Sequence, residues 1–411
     1  MNLSFDIHEI AMTRIDLRLV EPMTTAHGVI DRRPIVLVRI ETSLGVGVGE
    51  CSALADPYYS SQYLNSEEFV LGDFLIPRLL LDSKHTTLAV IMSFFECIKG
   101  HHLAKAAVEM ALIDVITGSE KISLLSWIKN GQSGQAKVPA GITIGSYRDP
   151  EMTLARIEAA LTKGYKRIKC KIMPGSDIDI LKAIATNFPS AREFELVLDA
   201  NESYIPDKEG IGLLNYMAGL DDRITAIEQP FGVNDIFRMK DLRQNISCPI
   251  LLDESAYDRL QIEMIGRLSL ADAVVIKPGR LGGILPAISA MQLAKEYGLK
   301  CSLGGMYEAG IARSCSLALA CLDEVELSSD LGPSENYYKA DITKPHLMTN
   351  GYIDVPSDIG IGRKLVIDPF DVESPNVASV SKEIKNTQSG LSNLEGNSAL
   401  STYRPQYFYP K

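Results

Sequence analysis

Two lysines stand two positions apart in GYKRIKCKIMPG, residues 164–175, a segment with the alternating pattern of a β-strand. Lys169 and Lys171 share one face of that strand, because side chains two apart on a strand point the same way. Lysine is common on solvated edge strands, so an exposed edge is one interpretation. The other is a pair of amino groups held inside a polar site. Residues at the ends of the later predicted strands decide between the two.

Charged residues end four of those later strands. Asp199, Glu228 and Asp253 follow three consecutive apolar runs, and Lys277 follows the next one. Asp199 and Asp253, taken singly, could be helix N-caps, but three carboxylates at one place repel each other unless a cation lies between them. Oxygen-only ligands favour a hard divalent ion, and Mg²⁺ is usual where positions remain for water and substrate. We therefore predict a Mg²⁺ site on these three carboxylates, with Mn²⁺ as the alternative ion.

Such a site suits removal of a proton from the carbon next to a carboxylate. A divalent ion on the carboxylate stabilises the enolate as it forms. A lysine can be the base if its pKa falls towards the working pH, and a neighbouring ammonium group and a metal ion both lower that pKa. We predict that Lys171 is the base and that Lys169 lowers its pKa and contacts a substrate oxygen. Lys277 would lie on the opposite face of the enolate as a second acid or base, or as a cation.

A repeating scaffold positions these residues. From about residue 138, eight short apolar runs alternate with helical stretches, which predicts a parallel sheet with helical crossovers. The runs are VPAGITI (138–144), KRIKCKI (166–172), ELVLDA (195–200), TAIEQP (225–230), PILLDE (249–254), AVVIKP (273–278), KCSLGG (300–305) and EVELSS (324–329). Eight units predict a (β/α)8 barrel, whose strand ends gather at one mouth. A doubly wound sheet would want a GxGxxG turn after its first strand, and GITIGSYRDP lacks it.

The predicted fold class is therefore α/β, a (β/α)8 TIM-type barrel with an N-terminal α+β capping domain. We expect the capping domain at residues 1–130, the barrel at 131–335 and a segment returning to the capping domain at 336–374. Residues 375–411 are rich in serine and asparagine, which predicts a disordered tail.

Substrate contacts are predicted at strand ends and in two capping-domain segments. The strand-end candidates are Asn201, Gly304, Gly305 and Glu308. The two glycines could instead serve only close packing. TTAHGVI (24–30) and ADPYYSSQY (55–63) are candidates to close over the substrate, although their aromatic residues could equally be ordinary residues of the interface between the domains.

Composition narrows the range of partners. The net charge is −11, which argues against nucleic-acid and anionic-membrane partners, since both need positive surface. The partner that we expect from the site residues is a small-molecule carboxylate. No apolar run reaches the ~18 residues of a membrane span, and the N-terminus lacks a signal-peptide pattern. Seven cysteines without a CxxC pair indicate reduced thiols, so a cytoplasmic location is expected. All six histidines lie outside the predicted barrel strands, which disfavours zinc.

These residues carry a family resemblance. Over roughly residues 8–370 the chain resembles the enolase superfamily, in its muconate lactonizing enzyme subgroup. KCKI, LDAN, IEQP, LLDES, IKPGRLGG and GGMYEAGIARSCSLALA are similar to signatures of the o-succinylbenzoate synthase and N-acylamino acid racemase branch. The resemblance implies the same lysine and Mg²⁺-ligand roles as above, and a homo-oligomer. Tyr307 and Ala309 depart from it, because leucine and threonine are expected there.

The resemblance implies more than one activity. The first is a hydro-lyase that dehydrates a succinylated hydroxycyclohexadiene carboxylate to o-succinylbenzoate, for menaquinone biosynthesis. The second is an N-succinylamino acid racemase that uses the same lysines. A cycloisomerase or dipeptide epimerase is disfavoured, since EVELSSD does not clearly supply an Asp-x-Asp on strand eight. A non-catalytic carboxylate-binding barrel would be expected to lack a lysine or a ligand, and none is missing.

Overall fold

The structure of the chain is a computed structural model. It describes residues 3–25, 28–81, 83–131, 136–145, 149–188, 193–366 and 368–370. The tail predicted at 375–411 lies outside the described residues, as do residues 26 and 27 of the segment 24–30.

Strands and helices alternate through most of the described chain. The strands are β1 (Ser4–Phe5), β2 (Ile7–Thr25), β3 (Gly28–Thr42), β4 (Gly45–Cys51), β5 (Thr86–Thr87), β6 (Lys137–Pro139), β7 (Gly141–Ile144), β8 (Arg167–Lys171), β9 (Glu195–Asp199), β10 (Ile224–Glu228), β11 (Ile250–Leu252), β12 (Ala273–Ile276), β13 (Lys300–Leu303), β14 (Met348–Thr349) and β15 (Tyr352–Asp354). The α-helices are α1 (Leu64–Val70), α2 (Ile76–Leu81), α3 (Leu88–Cys97), α4 (His102–Ser119), α5 (Leu124–Ile128), α6 (Pro150–Thr162), α7 (Asp177–Asn187), α8 (Lys208–Ala218), α9 (Met239–Asn245), α10 (Arg259–Leu268), α11 (Pro278–Leu281), α12 (Ile284–Glu296) and α13 (Gly310–Leu319). A π-helical turn at Leu71–Leu75 joins α1 to α2, and 3₁₀ turns lie at Val233–Arg238 and Ser334–Asn336. No helix among these is long and apolar enough to cross a membrane.

The N-terminal part is an antiparallel sheet covered by a helix. Strands β2, β3 and β4 pair in that order, and α4 packs across β4 and β3. Two glycines of β4 permit this close approach. A Cβ atom on Gly49 would lie 1.8 Å from the carbonyl oxygen of Ala107, and one on Gly47 would lie 2.1 Å from that of Ala111. Gly47 and Gly49 of LGVGVGE therefore lie on the face against which α4 packs.

Seven parallel strands form the barrel sheet, in the order β13-β12-β11-β10-β9-β8-β7. The apolar runs of the sequence are buried on both faces of this sheet, as is usual for parallel strands flanked by helices. The prediction of an α/β barrel with an N-terminal capping domain is confirmed.

The prediction of an eighth regular strand is wrong. Residues 324–329, EVELSS, form no strand, and the segment is irregular. Its serines explain this in part, because Ser329 accepts the backbone N–H of Leu303 through its side-chain oxygen. Serine side chains compete in this way with the regular backbone ladder.

That irregular segment nevertheless closes the ring. It bonds to both edge strands of the sheet, β13 on one side and β7 on the other. The hydrogen bonds run from Leu327 N to Cys301 O at 3.1 Å, from Asp330 N to Leu303 O at 2.7 Å and from Gly141 N to Leu331 O at 3.0 Å. Strands β8 and β12, second and sixth in an eight-position ring, therefore face each other.

The first predicted barrel strand, 138–144, divides into two. Strand β6 leaves the barrel and pairs antiparallel with β15, while β7 remains in the barrel sheet. The later residues also bridge to the N-terminal part. Leu19 forms a β-bridge with Tyr338, and Ser123 forms one with Gly360.

Two buried glutamates of the capping domain dock onto barrel helices. Glu109 accepts the N–H groups of Ile284 and Leu285 at 2.8 and 2.7 Å, at the start of α12. Glu50 accepts those of Ala309 and Ala312 at 2.8 and 3.0 Å, at the start of α13. A carboxylate is favourable at a helix N-terminus, where backbone N–H groups are otherwise unpaired. Burial raises the pKa of each carboxyl group to about 7, although these N–H groups act in the opposite direction.

Candidate active site

Strand register brings the predicted site residues to one level. Lys171 is paired with Asp199 across β8 and β9, and Asp199 with Glu228 across β9 and β10. Glu228 is in register with Leu251, so Asp253 lies just beyond the end of β11. Lys277 follows β12 directly. The carboxyl ends of the strands therefore gather two lysines and three acids at the barrel mouth, where TIM-barrel enzymes carry out their chemistry.

The lysine pair, Lys169 and Lys171, is held among carboxylates. The Lys169 Nζ atom lies 2.8 Å from Glu228 Oε1, 2.8 Å from Asp330 Oδ2 and 3.3 Å from Asp199 Oδ2. The Lys171 Nζ atom lies 2.6 Å from Asp199 Oδ2 and 2.5 Å from Asn201 Oδ1. Because β8 lies between β7 and β9, the interpretation as an exposed edge strand is excluded.

The charge state of Lys169 follows from these contacts. Burial disfavours its ammonium form, but Asp330, Glu228 and Asp199 outweigh burial and raise its pKa well above the ordinary value. Lys169 is therefore a fixed cation in this structure, which suits a group that holds carboxylates or a substrate oxygen rather than one that removes a proton.

Lys277 lies on the opposite wall with a carboxylate of its own. Its Nζ atom is 2.7 Å from Asp253 Oδ2, and the guanidinium of Arg280 is 2.8 Å from Asp253 Oδ1. Burial alone would raise the pKa of Asp253, but Lys277 and Arg280 lower it well below the usual range. Tyr59, from the capping domain, donates its hydroxyl to Asp253 Oδ2 at 3.1 Å and accepts from Lys277 at 2.7 Å.

The three predicted metal ligands have the donor chemistry of a hard divalent ion. They offer only carboxylate oxygens, from three consecutive strands of the ring. Glu228 Oε2 is buried and has no hydrogen-bond partner among the described residues. Burial and the neighbouring Asp199 carboxylate raise the pKa of Glu228 to about 8, so a cation there would relieve an unfavourable ionisation. Within the described ranges no three histidine, cysteine or acidic side chains are already placed as the ligands of a metal ion.

A cavity of about 320 Å³ opens above these residues. Of the predicted site residues it is lined by Lys169, Lys171, Asp199, Asn201, Asp253, Lys277 and Gly305. Gly304 instead lies beside the Lys277 side chain, where an added Cβ atom would be 3.1 Å from Lys277 Cε. The Glu308 carboxylate accepts the N–H of Met306 at 2.7 Å, so it supports this turn rather than lining the cavity.

Both candidate capping segments reach the cavity. The segment 55–63 contributes Tyr59, and Ile30, at the end of 24–30, also lines the wall. On the barrel side, Thr143, Tyr307 and Tyr337 are among the other residues that line the cavity.

Sequence reasoning missed three polar residues of this site. Asp330 contacts Lys169 and accepts from Thr143 at 3.1 Å, and it is the first acidic residue after the failed strand-eight pattern. Arg280 lies in IKPGRLGG, three residues after Lys277, and the motif by itself does not predict that this arginine contacts Asp253. Tyr59 was named only within its segment, since nothing local in the sequence ties that tyrosine to a lysine 218 positions away.

Comparisons with known proteins agree with this architecture. Residues 8–128 match the family model of the mandelate racemase / muconate lactonizing enzyme N-terminal domain, and residues 153–368 match the enolase C-terminal domain-like model. An N-succinylamino acid racemase from Amycolatopsis sp is 34% identical over 354 residues, covering 86% of this chain and 93% of the relative. An o-succinylbenzoate synthase from Bacillus subtilis is 31% identical over 362 residues, covering 87% and 94%. A solved enolase superfamily member from Enterococcus faecalis V583 has a TM-score of 0.79 at 30% identity, covering 88% of this chain and 96% of that one.

Proposed function

Because the chain belongs to the enolase superfamily, whose members typically use a divalent metal, we propose that it is a Mg²⁺-dependent o-succinylbenzoate synthase. The observation that supports this proposal is that lysines lie on opposite walls of the cavity. Lys171 and Lys277 extend from facing strands into one cavity, with Asp199, Glu228 and Asp253 on the strands between them. The proposal includes a role in menaquinone biosynthesis.

Asp199, Glu228 and Asp253 would hold the ion. When bound, it would stabilise negative charge that develops on the substrate carboxylate. In the proposed reaction Lys171, in its neutral form, removes the proton next to that carboxylate and leaves an enolate. Lys169, a buried cation between three carboxylates, keeps the acids of β9 and β10 in place and faces the developing charge.

Dehydration completes the synthase reaction. The enolate electrons form the new double bond of the ring as the carbon–oxygen bond to the hydroxyl group breaks. The departing hydroxide takes that proton back from the Lys171 ammonium group and leaves as water. One proton is removed and one is returned, so the lysines end the cycle as they began it.

An N-succinylamino acid racemase is the second candidate, and the same geometry favours it. Amino groups on facing walls allow a proton to be removed from one face of the α-carbon and returned to the other. The Amycolatopsis relative at 34% identity carries that activity in its name, and the Bacillus subtilis relative at 31% carries the synthase. Both reactions share the proton-transfer residues, so substrate choice rests on the shape of the cavity.

Substrate assays in heavy water separate the candidates. Purified protein with MgCl₂ is offered the succinylated hydroxycyclohexadiene carboxylate, followed by its absorbance change, and separately each enantiomer of an N-succinyl amino acid, followed by NMR and polarimetry. Dehydration without racemisation supports the synthase, and racemisation alone replaces it with the second candidate. Binding of both compounds without turnover or deuterium incorporation would refute both and favour a carboxylate-binding barrel. Lys171→Ala is the control for contaminating activity.

A further inference from the structure

The capping domain contributes one side chain to the proton-transfer site itself. The hydroxyl group of Tyr59 lies 2.7 Å from Lys277 Nζ, 3.0 Å from Arg280 Nη1 and 3.1 Å from Asp253 Oδ2. The Lys277 Nζ atom also lies 4.9 Å from the centre of the Tyr59 ring. The same tyrosine lines the cavity.

These contacts use the full capacity of the hydroxyl group. A phenol has one hydrogen to donate and two lone pairs to accept with. Here the hydrogen goes to Asp253, and the lone pairs accept from Lys277 and Arg280. The hydroxyl therefore has one satisfied orientation, and that orientation fixes the lysine amino group relative to the carboxylate.

The amino groups of Lys171 and Lys277 differ in whether the capping domain contacts them. The contacts of the Lys171 amino group are with Asp199 and Asn201, both on the barrel. Those of Lys277 are with Asp253 of the barrel and Tyr59 of the capping domain. Among these contacts, therefore, only the Lys277 amino group is held by a residue of the capping domain.

We propose that Tyr59 is a positioning residue for Lys277, so that the capping segment 55–63 prepares proton transfer on one face of the substrate only. The inference deepens the proposed function and rests on it for its catalytic part. The positional part, that the Tyr59 hydroxyl holds the Lys277 amino group, stands on the contacts alone.

A labelling experiment tests the positional part without a substrate. The full-length Mg²⁺-loaded protein is reductively methylated under limiting reagent, and the extent at each lysine is read by peptide mass spectrometry. Tyr59→Phe keeps the ring and removes the hydroxyl. Its neighbour Tyr58, 74% exposed, provides the matched control Tyr58→Phe. We expect the reactivity of Lys277 to change by roughly tenfold in Tyr59→Phe, as for loss of a hydrogen bond to a charged group, with Lys171 unchanged. Equal reactivity of Lys277 in both variants would overturn the proposal.

An isotope experiment tests the catalytic part. Each enantiomer of an N-succinyl amino acid is incubated in heavy water, and exchange at the α-carbon and inversion are measured separately. In Tyr59→Phe we expect inversion to fall in both directions, while exchange falls by roughly tenfold for only the enantiomer whose α-hydrogen faces Lys277. Equal slowing of both enantiomers would indicate a structural role and would overturn the catalytic part. If the wild-type protein neither exchanges nor dehydrates its substrates, the proposed function fails and the catalytic part fails with it, while the labelling result still decides the positional part.

Discussion

Glu109 gives the stability of the protein a pH dependence whose sign and size follow from its surroundings. Its side chain is fully buried between α4 and the start of α12, and both carboxylate oxygens accept backbone N–H groups. Burial raises its pKa from 4.5 to about 7. Glu109→Gln keeps the size and one accepting oxygen but cannot ionise. The variant therefore isolates the titration of this one group.

The sign follows from proton binding in the two states. Between the unfolded and folded pKa values the folded protein holds the proton and the unfolded chain has lost it, so stability falls as pH rises. The full effect of a shift from 4.5 to about 7 is roughly 3 kcal/mol. Between about pH 5.5 and about pH 8.5 the wild-type free energy of unfolding should fall by about 2 kcal/mol relative to Glu109→Gln.

Urea unfolding measures this difference directly. Curves for both proteins are recorded at several pH values, and the wild-type free energy minus that of the variant is plotted against pH. Groups that titrate alike in both proteins cancel in this difference. A difference that stays flat would show that Glu109 keeps its ordinary pKa in the folded protein, and one that rises with pH would show that its pKa is lowered; either result would refute the reasoning. Loss of one accepting oxygen shifts the whole plot but leaves its slope.

Three further predictions concern the site and the packing beneath it. Lys171→Ala should lower turnover and substrate deuterium exchange by roughly 10²–10⁴-fold, the usual contribution of a general base, and near-normal exchange would assign the base elsewhere. MgCl₂ at about a hundred times its Kd should stabilise the wild-type protein by about 2.7 kcal/mol in thermal denaturation, and Glu228→Gln should lose most of that gain; equal gains would mean that the ion binds away from Glu228. Gly49→Ala should destabilise the capping domain by at least about 1–3 kcal/mol, because its Cβ atom would lie 1.8 Å from the carbonyl oxygen of Ala107. The control Gly212→Ala, in the exposed interior of α8 with open space around it, should instead stabilise by about 0.5–1 kcal/mol in the same chemical denaturation assay.

The barrel and its charged strand ends could be predicted from the sequence because each depends on a short local pattern of residues. An apolar run followed by a polar residue and a helical stretch recurs along the chain, and each repeat can be recognised without its neighbours. The prediction of a strand at 324–329 failed in part because the Ser329 side chain takes a backbone N–H group of β13, which an apolar pattern does not reveal. Asp330 escaped notice for a related reason. Its contact with Lys169 exists only once the ring has closed and has brought positions 161 residues apart to one level.

Contacts between the domains also join positions far apart in the chain, so they could not be predicted from local patterns. Some of these contacts position residues that line the cavity. The guanidinium group of Arg33 is buried in the capping domain and donates to backbone carbonyl oxygens, among them Met306 O at 3.0 Å and Ala53 O at 2.6 Å. Met306 and Tyr307 both line the cavity. Arg33 of the capping domain thus holds the turn after β13 through the carbonyl oxygen of Met306.

Tyr307 and Ala309, the two residues that depart from the family resemblance, both lie in this docked turn. Ala309 is fully buried, and its N–H group donates to Glu50 of the capping domain. Tyr307, two residues earlier, has a left-handed backbone with φ of 56° and lines the cavity, and its ring packs edge-on against Tyr337. Where relatives are expected to have leucine, this chain therefore places a larger, polar-tipped ring beside the lysine pair. A substrate must fit against the Tyr307 ring. The capping domain, which docks through Arg33 and Glu50, sets the position of the turn that carries this tyrosine.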